Sequence, residues 1–406
     1  MRVLISASTF PIRPDDGLPR FVLDLALALT RHASVTALAP HAPGAALHER
    51  MDGVEVIRFR YFWPSRLERL AYGHGIRENL RASALARIQP PLLIASQVRA
   101  TRALVARLGA PLVNSHWLVP QGLSSALARG PSRTRPRFRH VLSVHAGDVQ
   151  MLERWPGGAR IARFVVSRSD AVLAVGSHVR DGLDRLLGRS SGARLEPMGA
   201  SLSLWQSPGA PPADPPLPRE YLSFVGRFSE KKGVSYLLRA LPRVREHHPD
   251  LGLVLVGYGA LEGALRDEVH ALGLGGAVVF AGRRSHAEIA AYLHGARLAV
   301  VPSIVDRHGE TEGMPTVVAE ALAAGQKVVA SAVDGIPDLI RHGENGWLCR
   351  QKDPEDLAAR ILDALREAEP SRVRLRALET ARRYDWAQVA DRYAEVFRAV
   401  AQAGAG

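Results

Sequence analysis

The sequence has few cysteines and lysines and no long apolar segment. Its 406 residues include one cysteine, Cys349, which excludes an intrachain disulfide and favours a reducing compartment. Lysine occurs four times, against 49 arginines. No apolar run approaches the roughly 18 residues that a membrane-spanning helix needs. We therefore expect a cytoplasmic protein built from ordinary globular domains.

The common metal-binding patterns are also missing. The sequence contains no H-E-x-x-H, no C-x-x-C and no D-x-D, so neither a zinc site nor the aspartate clamp of many nucleotide-sugar enzymes is indicated. The Walker phosphate loop, G-x-x-x-x-G-K-[ST], is absent as well. We expect no metal and no cofactor, so that phosphate charge would be neutralised by side-chain cations and helix amides.

Positive charge is concentrated in the first half of the chain. Residues 1–204 contain 28 arginines and 14 acidic residues, whereas residues 205–406 contain 25 basic and 26 acidic residues. Two basic clusters, 58–66 and 133–139, have aromatic residues between the arginines. Such a surface can meet anionic lipid, nucleic acid or an acidic substrate. The alternative is codon bias toward arginine, which would not by itself explain why one half alone is basic.

Short apolar segments alternate with helical ones on both sides of a proline-rich stretch, 207–218. This alternation predicts an α/β protein with two doubly wound parallel sheets. The predicted strands are 2–8, 34–39, 54–59, 111–117, 139–145, 171–176 and 194–198, and then 221–225, 251–256, 277–281, 297–301 and 328–331. The predicted divisions are a first domain at 1–204, a linker at 205–220, a second domain at 221–385 and a final segment at 386–406.

Two cations stand where the first strand of the second domain gives way to a helix. Residues 226–233 read Gly-Arg-Phe-Ser-Glu-Lys-Lys-Gly. Arg227 and Lys232 therefore lie beside backbone amides that already favour anions. An arginine fork with a lysine point charge suits a diphosphate better than a lone carboxylate. The alternative is a surface cluster without a ligand.

A second motif has two glutamates eight residues apart, Glu312 in a loop and Glu320 in the apolar helix that follows. The turn that opens this helix is Gly313, Met314, Pro315 and Thr316. Because the loop follows the predicted strand 297–301, it lies where ligands bind in open α/β sheets. Free amides at the helix start favour phosphates, and the carboxylates suit hydroxyls. The alternative is a solvated loop acid and a structural helix acid.

Residues 254–263 place a G-x-G-x-x-x-G pattern after a strand, which is similar to a dinucleotide-binding motif. The next strand, 277–281, ends without an acidic residue that could bind a ribose. The pattern also opens the second βα unit of its domain and not the first. Hydride transfer is therefore not predicted, and we expect the glycines to allow a close turn beside a ligand or the other domain.

Strand ends in the first half provide further candidates. His116 and His145 end two predicted strands, and Asp148 follows His145 by three residues. Gly17 lies in the loop after the first strand and could bring backbone close to a phosphate or sugar. Each has an ordinary alternative, a structural histidine or a turn glycine, but two histidines at corresponding strand ends favour a site.

Four blocks of the second half stand in a fixed order: V-G-R-F-S-E-K-K-G, V-G-Y-G-A-L-E-G, P-S-I-V-D-R-H-G-E-T-E-G-M-P-T-V-V-A-E-A-L-A-A-G and G-I-P-D-L-I-R-H-G-E-N-G-W-L. In this order and spacing they resemble the retaining GT-B glycosyltransferases of family 4. The resemblance covers nearly the whole chain. It implies two Rossmann-like domains facing a central cleft, and a metal-independent hexosyltransferase that uses a nucleoside-diphosphate sugar.

The resemblance also implies roles for the candidate residues. The residues with implied catalytic roles are His145 and Glu312 at the donor sugar and Arg227 and Lys232 at the diphosphate. The implied donor contacts are Glu320 at the ribose, Gly17 and the 313–316 amides at phosphate or sugar, and the Gly282 and Arg283 backbone at the base. His116 and Asp148 are assigned to the acceptor side. The final segment resembles a family helix that crosses back to the first domain.

Two positions depart from the family pattern. Gly17 is followed by Leu18 and Pro19 where many members have paired glycines, and Ala146 replaces a glycine that often follows the histidine.

Several functions stay open at this point. A nucleotide-sugar epimerase or a phosphorylase could share the architecture, and a basic nucleic-acid-binding protein would leave the two glutamates unexplained. We favour a transferase of bacterial cell-surface polysaccharide or glycolipid synthesis, with no nucleic acid as partner. It would dock through residues 58–69 on the inner face of the plasma membrane and act on a lipid-linked or polysaccharide acceptor. The base, the sugar and the acceptor are not determined by the sequence.

Overall fold

The computed structural model describes residues 1–8, 10–12, 20–72, 75–109, 112–130, 137–206, 209, 211–307, 309 and 316–403, without the side chain of Arg77. The chain divides into two compact units, Met1–Met198 with Trp386–Gly406, and Gly199–Asp385. The first unit thus ends after Met198 and not, as expected, after Leu204. The reason is a short helix, Leu202–Gln206, whose Trp205 is buried in the core of the second unit.

The first unit is built on one mixed sheet. Its strands are β1 (Arg2–Ser6), β2 (Ser34–Pro40), β3 (His48–Met51), β4 (Val54–Phe59), β5 (Leu112–His116), β6 (Arg139–Val144), β7 (Ala171–Ala174) and β8 (Arg194–Leu195). Its helices are α1 (Phe21–Leu29), α2 (Ile76–Ala82), α3 (Ala84–Ile88), α4 (Pro90–Leu108), α5 (Leu123–Arg129), α6 (Ala146–Glu153), α7 (Gly158–Ser167), α8 (Ser177–Leu187) and, at the chain end, α17 (Trp386–Gln402). Among the described residues the strand order is β3-β4-β2-β1-β5-β6-β7-β8, parallel except for the pair β3 and β4.

The second unit is built on one parallel sheet. Its strands are β9 (Glu220–Val225), β10 (Leu251–Val256), β11 (Val278–Gly282), β12 (Leu298–Val301), β13 (Val328–Ser331) and β14 (Trp347–Cys349). Its helices are α9 (Leu202–Gln206), α10 (Val234–His247), α11 (Glu262–Ala271), α12 (His286–Gly295), α13 (Thr316–Ala323), α14 (Ile336–Leu339), α15 (Pro354–Arg366) and α16 (Pro370–Arg382). Within the described part of the chain the strand order is β11-β10-β9-β12-β13-β14.

The apolar segments that predicted the strands form the cores. β10 is buried along its whole length, and so is β5, as expected for parallel strands covered on both faces. The prediction of two α/β units with parallel sheets is confirmed. β3 and β14 were not predicted, because β3 is polar and largely exposed and β14 has only three residues.

The last helix, α17, belongs to the first unit. Asp391 accepts from His32 Nε2 at 2.7 Å and pairs with Arg31 at 3.3 Å. Arg392 donates to the buried carboxylate of Glu196 at 2.8 Å. These three contacts join α17 to residues nearly 200 or more positions earlier, so the first unit is discontinuous in sequence.

β3 also changes the interpretation of the first basic cluster. Arg58 was assigned to a lipid-facing surface, but it is 3% exposed. Its guanidinium donates to Glu49 on β3 and to the carbonyl of Pro11, each at 2.7 Å. The buried charge is thereby paired, as burial requires. The second cluster lies partly outside the described residues, at 133–136, while its Arg139 pairs with Asp170 at 3.2 Å.

Across the described ranges, the longest apolar stretch of any helix falls short of what crossing a membrane requires.

Candidate active site

The loop after β9 presents the first of the two predicted phosphate cations. Gly226 donates its N–H to the carbonyl of Val256 at 3.0 Å, and Phe228 donates to Tyr258 at 2.9 Å. These bonds join the loop to the one that follows β10. Arg227 lies exposed between them, and no ion pair joins it to another described residue. Its guanidinium is therefore accessible to an anionic ligand.

Lys232 ends a single turn of 3-10 helix, Glu230–Lys232, and packs on the preceding loop. A Cβ placed on Gly226 would lie 3.4 Å from Lys232 Cε, so the lysine stem runs along this glycine. Gly233 has φ +66°, and a Cβ there would lie 1.9 Å from the carbonyl oxygen of Pro302. Only glycine fits at this position, and the turn it allows positions Lys232.

Three of the predicted residues meet at the start of α13. The Thr316 hydroxyl hydrogen-bonds the carboxyl group of Glu320, and Lys232 is close enough to act on it electrostatically. Burial raises the pKa of Glu320 to about 7, while the Thr316 hydrogen bond and the Lys232 charge lower it. Near neutral pH the carboxyl group is thus divided between two protonation states, and it can both accept hydrogen bonds from ligand hydroxyls and donate to them.

Gly282 and Arg283 lie at the end of β11, beside the same loops. Gly282 has φ +70° and accepts a hydrogen bond from Gly257 at 2.9 Å. The Arg283 guanidinium lies 5.6 Å from the ring centroid of Tyr258, and both side chains are exposed. A cation stacked on an aromatic ring offers a flat surface for a planar ligand group.

The G-x-G pattern after β10 has a packing explanation. A Cβ on Gly257 would lie 1.9 Å from the carbonyl oxygen of Gly226, and one on Gly259 would lie 2.4 Å from that of Phe228. These glycines let two neighbouring loops of one unit touch. The expected contact with a ligand or with the other domain is not needed to explain them.

Five of the predicted site residues lie outside the described residues. They are Gly17, Glu312, Gly313, Met314 and Pro315. Of the predicted site residues in the motif with two glutamates, the structure describes Thr316 and Glu320. One ion pair beside it escaped the sequence analysis, Arg307 with Glu230 at 3.3 Å, which joins the loop after β12 to the Lys232 turn.

The second cluster lies in the first unit, at the ends of β5 and β6. These strands are parallel neighbours, with His116 opposite Ser143. His116 Nδ1 therefore lies 3.1 Å from His145 Nε2. The Trp117 ring stacks on the His145 ring with centroids 4.7 Å apart, and Phe21 lies 5.5 Å from it. The two histidines come together as the strand ends suggested.

Both rings are neutral. Burial lowers the pKa of His145 to about 3. Burial also holds the pKa of His116 well below its usual range, and the nearby His145 lowers it further because two imidazolium ions would repel each other. In the 3.1 Å contact one nitrogen therefore donates and the other accepts. His145 can act as a hydrogen-bonding group at neutral pH but not as an imidazolium ion.

Asp148 lies beside this cluster, and its expected acceptor-side role stays a prediction. It is 4% exposed, and its carboxylate accepts from the backbone N–H groups of Leu118 and His145, the latter at 3.2 Å. Burial raises its pKa to about 7 in spite of these hydrogen bonds. His116 is fully buried as well. Asp148 holds two backbone segments together, and His116 lies behind His145.

Trp117 is the neighbour that the sequence analysis missed. It has φ +70°, an unfavourable conformation for a residue with a side chain. Its N–H donates to the carbonyl of Ser143 at 2.8 Å, which ties it to β6. Residues held in unfavourable backbone conformations cluster at functional sites. Trp117 is such a residue, and it contacts the buried histidine pair.

In the described part of the chain, no three His, Cys, Asp or Glu side chains are grouped as metal ligands. Two α/β units built on parallel sheets match the architecture of the GT-B glycosyltransferases. Residues 212–382 match the model of the family described as glycosyl transferases group 1. This match covers less than half of the chain, and the place of the chain in family 4 stays a prediction.

Similar proteins agree with this class. Glycogen synthase of Mycobacterium tuberculosis is 28% identical over 424 residues, which cover 98% of this chain and 95% of that protein. Sucrose-phosphate synthase of Thermosynechococcus elongatus superposes with a TM-score of 0.76 at 22% identity, over 99% of each chain. HepE of Anabaena, solved in complex with UDP, superposes with a TM-score of 0.70 at 18% identity, over 98% of this chain and 100% of HepE. At these identities the two structures establish the fold alone.

Proposed function

We propose that this glycosyltransferase is a retaining, metal-independent hexosyltransferase whose donor is a nucleoside-diphosphate sugar. The observation that carries the proposal is the cluster of Lys232, Thr316 and Glu320, with Arg227 exposed on the same side of the second unit. It combines cations for a diphosphate with a carboxyl group for hydroxyls. The complex of HepE with UDP supports a nucleotide ligand for this fold.

The cations of the second unit suit the leaving group. When the bond between C1 of the sugar and the phosphate oxygen breaks, negative charge develops on the diphosphate. Lys232, held by the glycine turn, and the accessible Arg227 would stabilise that charge, and fixed cations in a protein site are effective in this role. A bound metal ion is then unnecessary.

Retention follows, in this proposal, from attack on the face that the diphosphate leaves. The bond from C1 to the acceptor oxygen forms as the bond to the phosphate breaks, and the acceptor proton passes to a phosphate oxygen. No protein nucleophile is needed. His145, neutral and held by Trp117 and His116, would donate or accept a hydrogen bond at the sugar.

The remaining donor contacts are assigned by their chemistry. Glu320 would bind the ribose hydroxyls, and Glu312 the hydroxyls of the sugar. The stacked pair of Arg283 and Tyr258 would lie against the base. The acceptor we propose belongs to cell-surface polysaccharide or glycolipid synthesis, because the excess positive charge of the chain lies in its first half.

The test uses purified full-length protein, EDTA and a panel of UDP, GDP, ADP and TDP hexoses with candidate lipid and oligosaccharide acceptors. We expect one donor to release its nucleoside diphosphate in step with acceptor glycosylation, and NMR to show the donor's anomeric configuration in the product. An inverted product contradicts retention, and loss of activity in EDTA contradicts metal independence. Conversion of the donor to an epimer without acceptor would support the epimerase instead.

A further inference from the structure

The most exposed large apolar side chain of the described residues is Trp63, at 85% exposure. It lies in the segment 60–69, which follows the carboxyl end of β4. Arg60, Arg66 and Arg69 surround it in sequence and are exposed too. No ion pair joins these three arginines to another described residue. A tryptophan this exposed leaves a large apolar ring with a polar N–H edge in water, which suits a boundary between polar and apolar phases.

The segment is rigidly built, although its tip is exposed. Its one acidic residue, Glu68, is buried and hydrogen-bonded to His41. Glu68 also accepts from the backbone N–H of Tyr61 at 2.9 Å. Because Glu68 points inward, the exposed part of the segment has three positive charges and no negative one.

A buried glutamine joins this segment to a second exposed apolar site. The Gln89 side chain donates to the carbonyl of Leu67 at 2.7 Å and accepts from the N–H of Arg69 at 3.1 Å. On either side of Gln89 lie Ile88, 59% exposed, and Leu92, 46% exposed. The Trp63 surface is thus defined by Arg60, Trp63, Arg66, Arg69, Ile88 and Leu92.

We propose that the Trp63 surface docks on a bilayer that contains anionic phospholipid. Arginines attract anionic headgroups, and tryptophan is favoured at the boundary between headgroups and acyl chains. The exposed aliphatic pair supplies apolar area that a purely polar polyanion would leave in water. This goes beyond the proposed function, because docking requires neither donor nor transfer.

The strand order of the first sheet shows where the Trp63 surface lies relative to His116 and His145. β4, β2, β1 and β5 are parallel, so the carboxyl end of β4 and the end of β5 at His116 lie on the same edge of the first sheet. A membrane docked there would hold a lipid-linked acceptor near that edge.

The chain contains a matched control surface. Arg154, Trp155 and Arg160 are exposed, with Trp155 at 53%, and again place a tryptophan between two arginines six positions apart. There the neighbouring Glu153 is also exposed and pairs with Arg185 at 3.6 Å. This site therefore has local negative charge that the Trp63 surface lacks.

The experiment measures co-sedimentation of the full chain with vesicles of phosphatidylcholine, with and without 30% phosphatidylglycerol. We expect binding to the anionic vesicles alone, weakened by salt. The double variant Arg60→Gln, Arg66→Gln should reduce the partition coefficient about 30-fold, and Trp63→Ser should reduce it on the order of tenfold. Trp155→Ser and the double variant Arg154→Gln, Arg160→Gln should bind as the parent does.

Three results would overturn the proposal. They are absence of binding to anionic vesicles, equal loss in both sets of variants, and binding by the parent to heparin or single-stranded DNA but not to vesicles. Because no donor is present, these results do not depend on whether the transferase proposal holds. Circular dichroism of each variant separates loss of docking from loss of folding.

Discussion

The candidate residues of both units lie at strand ends, but they differ in burial and in charge. In the first unit, His116, His145 and Asp148 are buried and bonded to one another or to backbone. In the second unit, Arg227 is exposed and Lys232 and Glu320 are half-buried. The histidine pair of the first unit is neutral and packed, whereas the second cluster is charged and accessible.

The two clusters therefore differ in what they can offer a ligand. A buried, uncharged histidine held by Trp117 can offer a hydrogen bond in a fixed direction, and its low pKa keeps it from becoming charged. Lys232, close to a carboxyl group with a pKa of about 7, and the exposed Arg227 can respond to an anionic ligand. We infer that charge stabilisation belongs to the second unit, and that orientation belongs to the first.

The largest effect should come from removing a cation of the second unit. Lys232→Ala should lower the transfer rate on the order of 100- to 1,000-fold, about 3 to 4 kcal/mol, because developing phosphate charge loses a fixed partner. Steady-state kinetics with the donor identified above measures it. Lys352→Ala, at an exposed lysine of the same unit, is the control. A parent rate for Lys232→Ala would remove this residue from the site.

A second prediction concerns the glycine turns that support those cations. Gly257→Ala places a Cβ 1.9 Å from the Gly226 carbonyl oxygen at φ +148°, so it should destabilise the second unit by about 3 kcal/mol. Gly263→Ala meets no atom within 4 Å and lies in α11, where alanine is favoured by up to about 1 kcal/mol. Calorimetry of both variants compares them, and equal melting temperatures would contradict the packing explanation.

The stability of the first unit should depend on pH, because several of its buried side chains have shifted pKa values. The pKa values of His145 and His140 are lowered, to about 3 and about 4. The native state then binds fewer protons than the unfolded state, and stability is lost as pH falls from about 6.5 toward these values. Asp148, with a pKa raised to about 7, acts oppositely, since its contribution is lost as pH rises from about 4 through 7.

His145→Phe should therefore make the loss of first-unit stability on acidification shallower by up to about 1.4 kcal/mol per pH unit. Asp148→Asn should make it steeper. Hydrogen exchange of the β5 and β6 amides between pH 4 and pH 7 measures the slopes, with His270→Gln at an exposed histidine as control. Unchanged slopes in both variants would mean that the cluster is hydrated.

The smallest effect should be the pH dependence of nucleotide affinity. Because the pKa of Glu320 is about 7, its carboxyl group changes state between pH 6 and pH 8, and affinity should change several-fold over that range. Glu320→Gln should bind with nearly the same affinity at both pH values. Calorimetric titration makes the comparison, and a pH dependence that persists in the variant would assign it elsewhere.

The sequence predicted the features that depend on a local residue pattern. Apolar runs marked most of the parallel strands, and Gly226–Gly233 marked a strand-to-helix junction with Arg227 and Lys232 in place. The pairing of His116 with His145 needs the register of β5 against β6, which no local pattern contains. The left-handed backbone of Trp117 has no sequence signal, because residues with side chains rarely adopt it.

The burial of charged side chains was the other feature that the sequence did not predict. Arg58 looked like part of a lipid-facing cluster, but its partner Glu49 lies on β3, a polar strand without an apolar alternation. Asp148 was assigned to the acceptor side without a partner in the protein, and the structure shows that the bend at Trp117 brings the N–H of Leu118 to its carboxylate. In both cases tertiary partners, which no local pattern contains, decide whether the charged side chain is buried.

The most direct measurement is calorimetric titration of the parent, Lys232→Ala and His145→Phe with UDP, GDP, ADP and TDP in EDTA. We expect one nucleoside diphosphate to bind the parent, with affinity reduced at least tenfold in Lys232→Ala and unchanged in His145→Phe, because the second unit supplies the charge. Equal affinity of the parent and Lys232→Ala for that nucleotide, or loss of binding in His145→Phe alone, would contradict the account.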